Sequence, residues 1–117
     1  MAYAFNDDKT KADVYTKSEV IALLSELKKI EDYSVTLTNV GAGQRLTGSY
    51  DITVYPGYTP IGILQIDNIS NGANVEQIHT YQNEYITRLQ YSVYNFSAIT
   101  MNVTFTARVL YVKNSIL

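Results

Sequence analysis

The 117-residue sequence contains no cysteine and no tryptophan, only two prolines, and one histidine. Without cysteine there is no disulfide framework, no thiolate metal site and no cysteine nucleophile. The lone His79 gives catalysis little to work with, because no carboxylate and nucleophile are arranged around it. Its nearest acid, Glu76, lies three residues away, which on a strand places it on the opposite face. One imidazole per chain is also thin material for a metal centre. No apolar run approaches the length of about 18 residues that a membrane span requires. The opening MAYAFNDDKTKAD carries acids where a signal peptide has its apolar core. These features predict a protein made in the cytoplasm, without membrane insertion.

Charge is sparse as well. Charged residues make up 17% of the chain. Five Lys and seven Asp/Glu fall within residues 1–32, and four of each sign in residues 33–117. The later basic residues, Arg45, Arg88, Arg108 and Lys113, are scattered, so the basic stripe that displaces counterions from nucleic acid is missing. Asp51, Asp67, Glu76 and Glu84 sit in or beside different predicted strands and turns, with no local pairing of the kind a glycosidase uses. The glycines at 41, 43 and 48 lack the Gly-Lys-Ser/Thr ending of a phosphate loop and read as turn punctuation. Asn68-Ile69-Ser70, Asn95-Phe96-Ser97 and Asn102-Val103-Thr104 match the N-glycosylation pattern, which is frequent by chance. The expectation is a protein that is not an enzyme and carries no metal or other cofactor.

Eleven tyrosines stand against this sparseness. Tyrosine suits strands and contact surfaces, since its ring buries area while its hydroxyl reaches water. Residues 1–14 are polar, with Tyr3 and Phe5 as isolated aromatics, and predict an arm that is either mobile or docked in an assembly. Thr16 and Glu19 then stand at capping-box spacing. Val20, Leu23, Leu27 and Ile30 follow at steps of three, four and three, an a-d-a-d seam on a predicted oligomerising helix over 15–32. A helix of about sixteen residues is marginal alone, so association or docking must complete it. Leu27 at a with Ile30 at d favours three or four chains, whereas Val20 with Leu23 favours two. Glu26 and Glu31 would face each other as like charges across a parallel coil.

From Tyr33 the period changes to two. Strands are predicted over 33–38, 50–55, 61–69, 75–81, 85–94 and 102–113, with a glycine-bearing loop at 39–49 that has room for a short strand. Pro56-Gly57, Ser70-Asn71-Gly72 and Gln82-Asn83-Glu84 supply turns, the second of hairpin type. The last strand is apolar on both faces toward its end and belongs at the centre of a sheet. Six or seven short strands without a second helix predict an antiparallel β-sandwich or jelly-roll-like head over 33–117. Among the tyrosines, Tyr55, Tyr58 and Tyr81 are the candidates for surface recognition of sugar or protein.

The segment Asp13-Val14-Tyr15-Thr16-Lys17-Ser18-Glu19-Val20 with Leu23-Leu24 resembles a motif of phage fibre and appendage proteins, of the form Y-[ST]-K-x-E-V-D-x-L-L, with Ile21 where Asp is usual. Val54–Ile63 and Arg108–Lys113 are similar to the small β heads of such proteins. The resemblance implies a virion structural protein. A short helix would trimerise the chain, the N-terminal arm would meet other virion proteins, and the head would decorate the particle or attach to a host surface, glycan included. The competing expectation is a bacterial cell-surface carbohydrate-binding module without catalysis.

Overall fold

The computed structural model describes residues 14–117. All but the last residue of the expected arm therefore lies outside the described residues. Among the described residues one α-helix, α1 (Lys17–Glu26), precedes six strands: β1 (Lys28–Val40), β2 (Arg45–Asp51), β3 (Tyr58–Asp67), β4 (Ala73–Gln82), β5 (Thr87–Asn95) and β6 (Met101–Lys113). They form two three-stranded antiparallel sheets, β1-β6-β3 and β2-β5-β4, packed as a sandwich. Pairing is nested, the first strand with the sixth and the second with the fifth, so most connections cross between sheets.

The alternation read in the sequence builds the core. Val103, Phe105, Ala107, Val109 and Tyr111 of β6 are all buried and face Leu89, Tyr91 and Val93 of β5. Being central in its sheet, β6 pairs along both edges; toward its end Tyr111 is buried on the inner face while Leu110 and Val112 are half-buried on the outer one. Val35, Leu37 and Val40 of β1 complete the layer. Tyr91 stands edge-on to Phe105 with ring centroids 5.4 Å apart.

The turns form as their residues dictate. Pro56-Gly57 closes with Tyr58 N–H donating to the Tyr55 carbonyl, and Gly57 takes φ 85°, open to glycine without strain. Ser70-Asn71-Gly72 turns with Gly72 at φ 87°, but it is not a hairpin, since it joins β3 of one sheet to β4 of the other. Asn83 Oδ1 accepts from the N–H groups of Tyr85 and Ile86, making the hairpin between β4 and β5 an Asx-type turn.

Two sequence expectations are corrected. The strand expected over 50–55 runs instead over Arg45–Asp51, overlapping it at 50–51 and otherwise lying in the 39–49 stretch read as a loop with room for a short strand. The helix expected over 15–32 ends at Glu26. Residues 28–32 pair with 108–112 of β6, whose apolar end needs a neighbour on that side. Extended pairing there outweighs the helical propensity of Lys-Lys-Ile-Glu-Asp, because it satisfies backbone groups of both strands. Ile30 consequently sits opposite Leu110 and is no part of a helical seam, and Glu31 no longer faces Glu26 across a coil.

Candidate functional site

The helix begins as its sequence requires. Thr16 Oγ1 accepts from Glu19 N–H, and Glu19 Oε1 accepts from Thr16 N–H, closing the capping box. The Thr16 backbone N–H, and after it the Thr16 side chain, hold the Glu19 carboxyl below its ordinary pKa. At the other end the head supplies the missing partners. Tyr58 Oη donates to the Glu26 carbonyl, and Lys113 N–H donates to the Leu27 carbonyl at 2.8 Å. Leu27 is the C-cap residue.

Between these anchors the helix buries nothing. Val20, Ile21, Leu23 and Leu24 are each between 42% and 56% exposed. At 100° per residue, Val20, Leu23, Leu24 and Leu27 fall within an arc of about 100°, so one stripe is apolar and solvent-facing. A ten-residue helix is below the length that is stable by itself in water. The outer face of the first sheet carries apolar groups too: Ile30 opposite Leu110, with Ile61 and Leu64 about half exposed at the irregular steps of β3.

The candidate tyrosines separate. Tyr55 stands edge-on to buried Tyr111 at 4.9 Å, and Glu31 beside it pushes its phenol pKa up. Lys29 Nζ lies over both the Tyr55 and Tyr58 rings, at 5.3 and 5.0 Å. Together with the Tyr58 bond to Glu26, this makes the pair the joint between helix and head. Tyr81 is apart from them, exposed on the outer face of the second sheet. Tyr33, Tyr111 and Thr53 form a closed ring of hydrogen bonds at the core's edge. Tyr111 Oη donates to the Thr53 carbonyl, so Tyr33 Oη donates to Tyr111, and Thr53 N–H donates back to Tyr33.

The outer face of the second sheet is polar and ordered in rungs: Thr47–Ser92–Gln77, Ser49–Gln90–His79 and Asp51–Arg88–Tyr81. Much of it lines a shallow depression of about 400 Å³. His79 Nε2 donates to Gln90 Oε1 at 2.9 Å. Arg45 stacks over Tyr94 at 4.1 Å and donates from Nε to Glu76 at 3.0 Å. Glu76 therefore shares the outer face with His79, against strand alternation. The pairing slips between Val75 and Gln77, and this bulge resets the sides. Three of the four candidate acids have separate neighbours: Asp51 has Arg88, Glu76 has Arg45, and Asp67 accepts from Gln65.

Sequence reasoning missed Asn95, which is fully buried. Its amide donates to the Val40 and Ile99 carbonyls, and its oxygen accepts from the backbone and hydroxyl of Ser97. The nitrogen that the glycosylation pattern would modify is thus committed inside the fold. A polar residue continuing the buried face Thr87, Leu89, Tyr91, Val93 was the available signal. Compared with known protein families, curated proteins and solved structures, the chain matches none.

Proposed function

We propose that this chain is a non-enzymatic virion structural protein of the fibre or appendage type, a homotrimer whose β head attaches to a host surface or decorates the particle. The observation that carries the reading is the helix: capped at one end, bonded to the head at the other, and exposing every apolar side chain between. Burying Val20, Leu23 and Leu24 would contribute about 1.5–3 kcal/mol each. A second copy of the same surface is the simplest partner of matching character. Ile30, Ile61 and Leu64 are further exposed apolar residues on the head. The number three comes from the resemblance of residues 13–24 to fibre proteins, since the Leu27–Ile30 pair that favoured it is split between helix cap and strand.

Light scattering on the purified protein tests this. The expected particle has three times the chain mass of 13.2 kDa, and the double substitution Leu23→Lys and Leu24→Lys reduces it to one chain with the head still folded. A wild-type monomer at micromolar concentration refutes the assembly. The second reading, a monomeric carbohydrate-binding module, draws on exposed Tyr81 beside the polar depression. A monomer that binds saccharide would favour it.

A further inference from the structure

We infer that Asn71 is a site of spontaneous, one-way modification, in which attack by the Gly72 nitrogen expels the side-chain amide and leaves aspartate or isoaspartate in the turn between β3 and β4.

The chemistry balances without an oxidant, a metal or an enzyme. The Gly72 nitrogen forms a bond to Cγ of Asn71 and gives up its proton. The Cγ–Nδ2 bond breaks, and the amide nitrogen leaves with that proton as ammonia. Water then opens the resulting succinimide ring. Opening at the main-chain carbonyl leaves isoaspartate, whose main chain runs through Cβ, and opening at the side-chain carbonyl leaves aspartate.

Both reacting groups are unrestrained. Asn71 is exposed, in the turn that Ala73 N–H closes on the Ser70 carbonyl at 3.2 Å. Among the described residues its side chain has no hydrogen-bond partner, and neither has the carbonyl or the N–H of the peptide joining it to Gly72. That peptide can therefore swing, as turn types do when they interconvert, and present its nitrogen to Cγ. The bonds that fix the turn, Ala73 to Ser70 and Phe96 N–H to the Gly72 carbonyl, lie outside it. Gly72 has no Cβ to block the approach.

The other described asparagines lack these conditions. Asn95 is buried with its amide fully bonded. Asn83 and Asn102 accept backbone N–H groups, Asn114 accepts from Thr59, and Asn68 donates to Thr106 and precedes isoleucine. Asn39 and Asn74 lie within strands and precede valine, whose branched side chain crowds its own nitrogen.

The neighbouring loop feels the product. A Cβ on Gly72 would lie 2.9 Å from the Ser97 Cβ, so the main chain already packs tightly there, and the Gly72 carbonyl holds Phe96 N–H at 2.8 Å. Ser97 in turn donates to Asn95, which holds the Val40 and Ile99 carbonyls. Isoaspartate lengthens the main chain just before Gly72. That displaces the contact and loosens the segment carrying exposed Phe96 and Ile99. Aspartate adds a charge and leaves the main chain as it was.

The test is to age the whole purified protein in warm, mildly alkaline buffer beside a sample held unfolded in guanidinium. Peptide mapping with electron-transfer fragmentation then separates aspartate from isoaspartate. Asn71 is expected to be the dominant converted site in the folded protein. Its rate should fall within about tenfold of the unfolded rate, because not even one hydrogen bond holds either group. Asn71→Gln should remove the conversion. Amide exchange at Phe96 should be about tenfold faster in the isoaspartate form, corresponding to the loss of one bond, and unchanged in fresh Asn71→Asp. The site is overturned if folded Asn71 stays intact while the unfolded sample converts, if neither sample converts, or if another asparagine converts faster in the folded protein. Isoaspartate at Asn71 with unaltered Phe96 exchange overturns the link to the loop.

Discussion

Replacing Asn95 by alanine is the sharpest probe of how the loops are held to the sandwich. The side chain is fully buried and makes four hydrogen bonds, two donated to the Val40 and Ile99 carbonyls at 2.9 and 2.8 Å and two accepted from Ser97. Alanine removes all four and strands the Val40 carbonyl beside a fully buried residue. A buried polar group left unsatisfied costs about 1–3 kcal/mol, and an ordinary bond contributes about 1 kcal/mol net. Ile99 and its neighbours are exposed, so water can replace part of the loss there. The expected destabilisation is about 3–4 kcal/mol, a large share of the roughly 5–15 kcal/mol that holds a typical domain. Urea denaturation followed by circular dichroism reads it as a shift in midpoint with unchanged slope. Asn95→Asp adds a control of the same size. It loses both donors and, when ionised, sets a carboxylate against two carbonyls, so its folded-state pKa lies above the unfolded value of about 3.9. That variant should be most stable below this unfolded value and lose stability as pH rises past it, a dependence absent from alanine. A cost for alanine under about 1 kcal/mol would refute the reasoning, because it falls to the level of one solvated bond.

Tyr111→Phe removes the hydroxyl that donates to the Thr53 carbonyl, and thermal unfolding should report a loss of about 1–2 kcal/mol. Burial, reinforced by the Tyr33 bond, pushes the Tyr111 phenol well above its ordinary 10.0. The fold therefore favours the neutral phenol, so its contribution is complete below pH 10 and is lost as pH rises beyond it. Alkaline titration of stability should show that fall in wild type and a smaller one in the phenylalanine variant. Gly48→Ala would set a Cβ 2.8–3.0 Å from the Tyr91 ring, which is itself wedged against Phe105. A cost of about 1–3 kcal/mol in denaturant unfolding is expected, and a neutral result would show that the ring moves freely. Thr16→Ala breaks the capping box and should cost the helix about 1 kcal/mol, read as faster amide exchange over residues 17–24 with strand exchange unchanged.

Much of the architecture was legible in the sequence, because it rests on short-range rules. Thr16 and Glu19 cap the helix through neighbours three residues apart, and the alternations in 87–93 and 103–111 assign the buried face without reference to any partner. The two-sided apolarity of 109–112 placed β6 at the centre of its sheet. Pro56-Gly57 and Asn83 fixed turns through their own backbone preferences and side-chain bonds. The candidate site was less visible. Tyr81 stands exposed on the outer face of the second sheet, but Tyr55 and Tyr58 are taken up by Lys29 and the helix end.

The tertiary structure alone decided the features that depend on distant segments. The helix stops at Glu26 because residues 28–32 find the end of β6 about eighty positions away, and local propensity carries no information about that pairing. The bulge after Val75 moves Glu76 to the face of His79, and only the registry with β5 creates it. Among the described residues the buried Nε of Arg88 has no hydrogen-bond partner, because β5 sets Arg88 between a too-distant Asp51 and Tyr81, on strands whose order the sequence does not state. What the chain encodes locally is its caps, turns and buried faces. Which residues meet across the two sheets is set by long-range pairing, where the backbone bonds of whole strands outweigh the preference of any short segment.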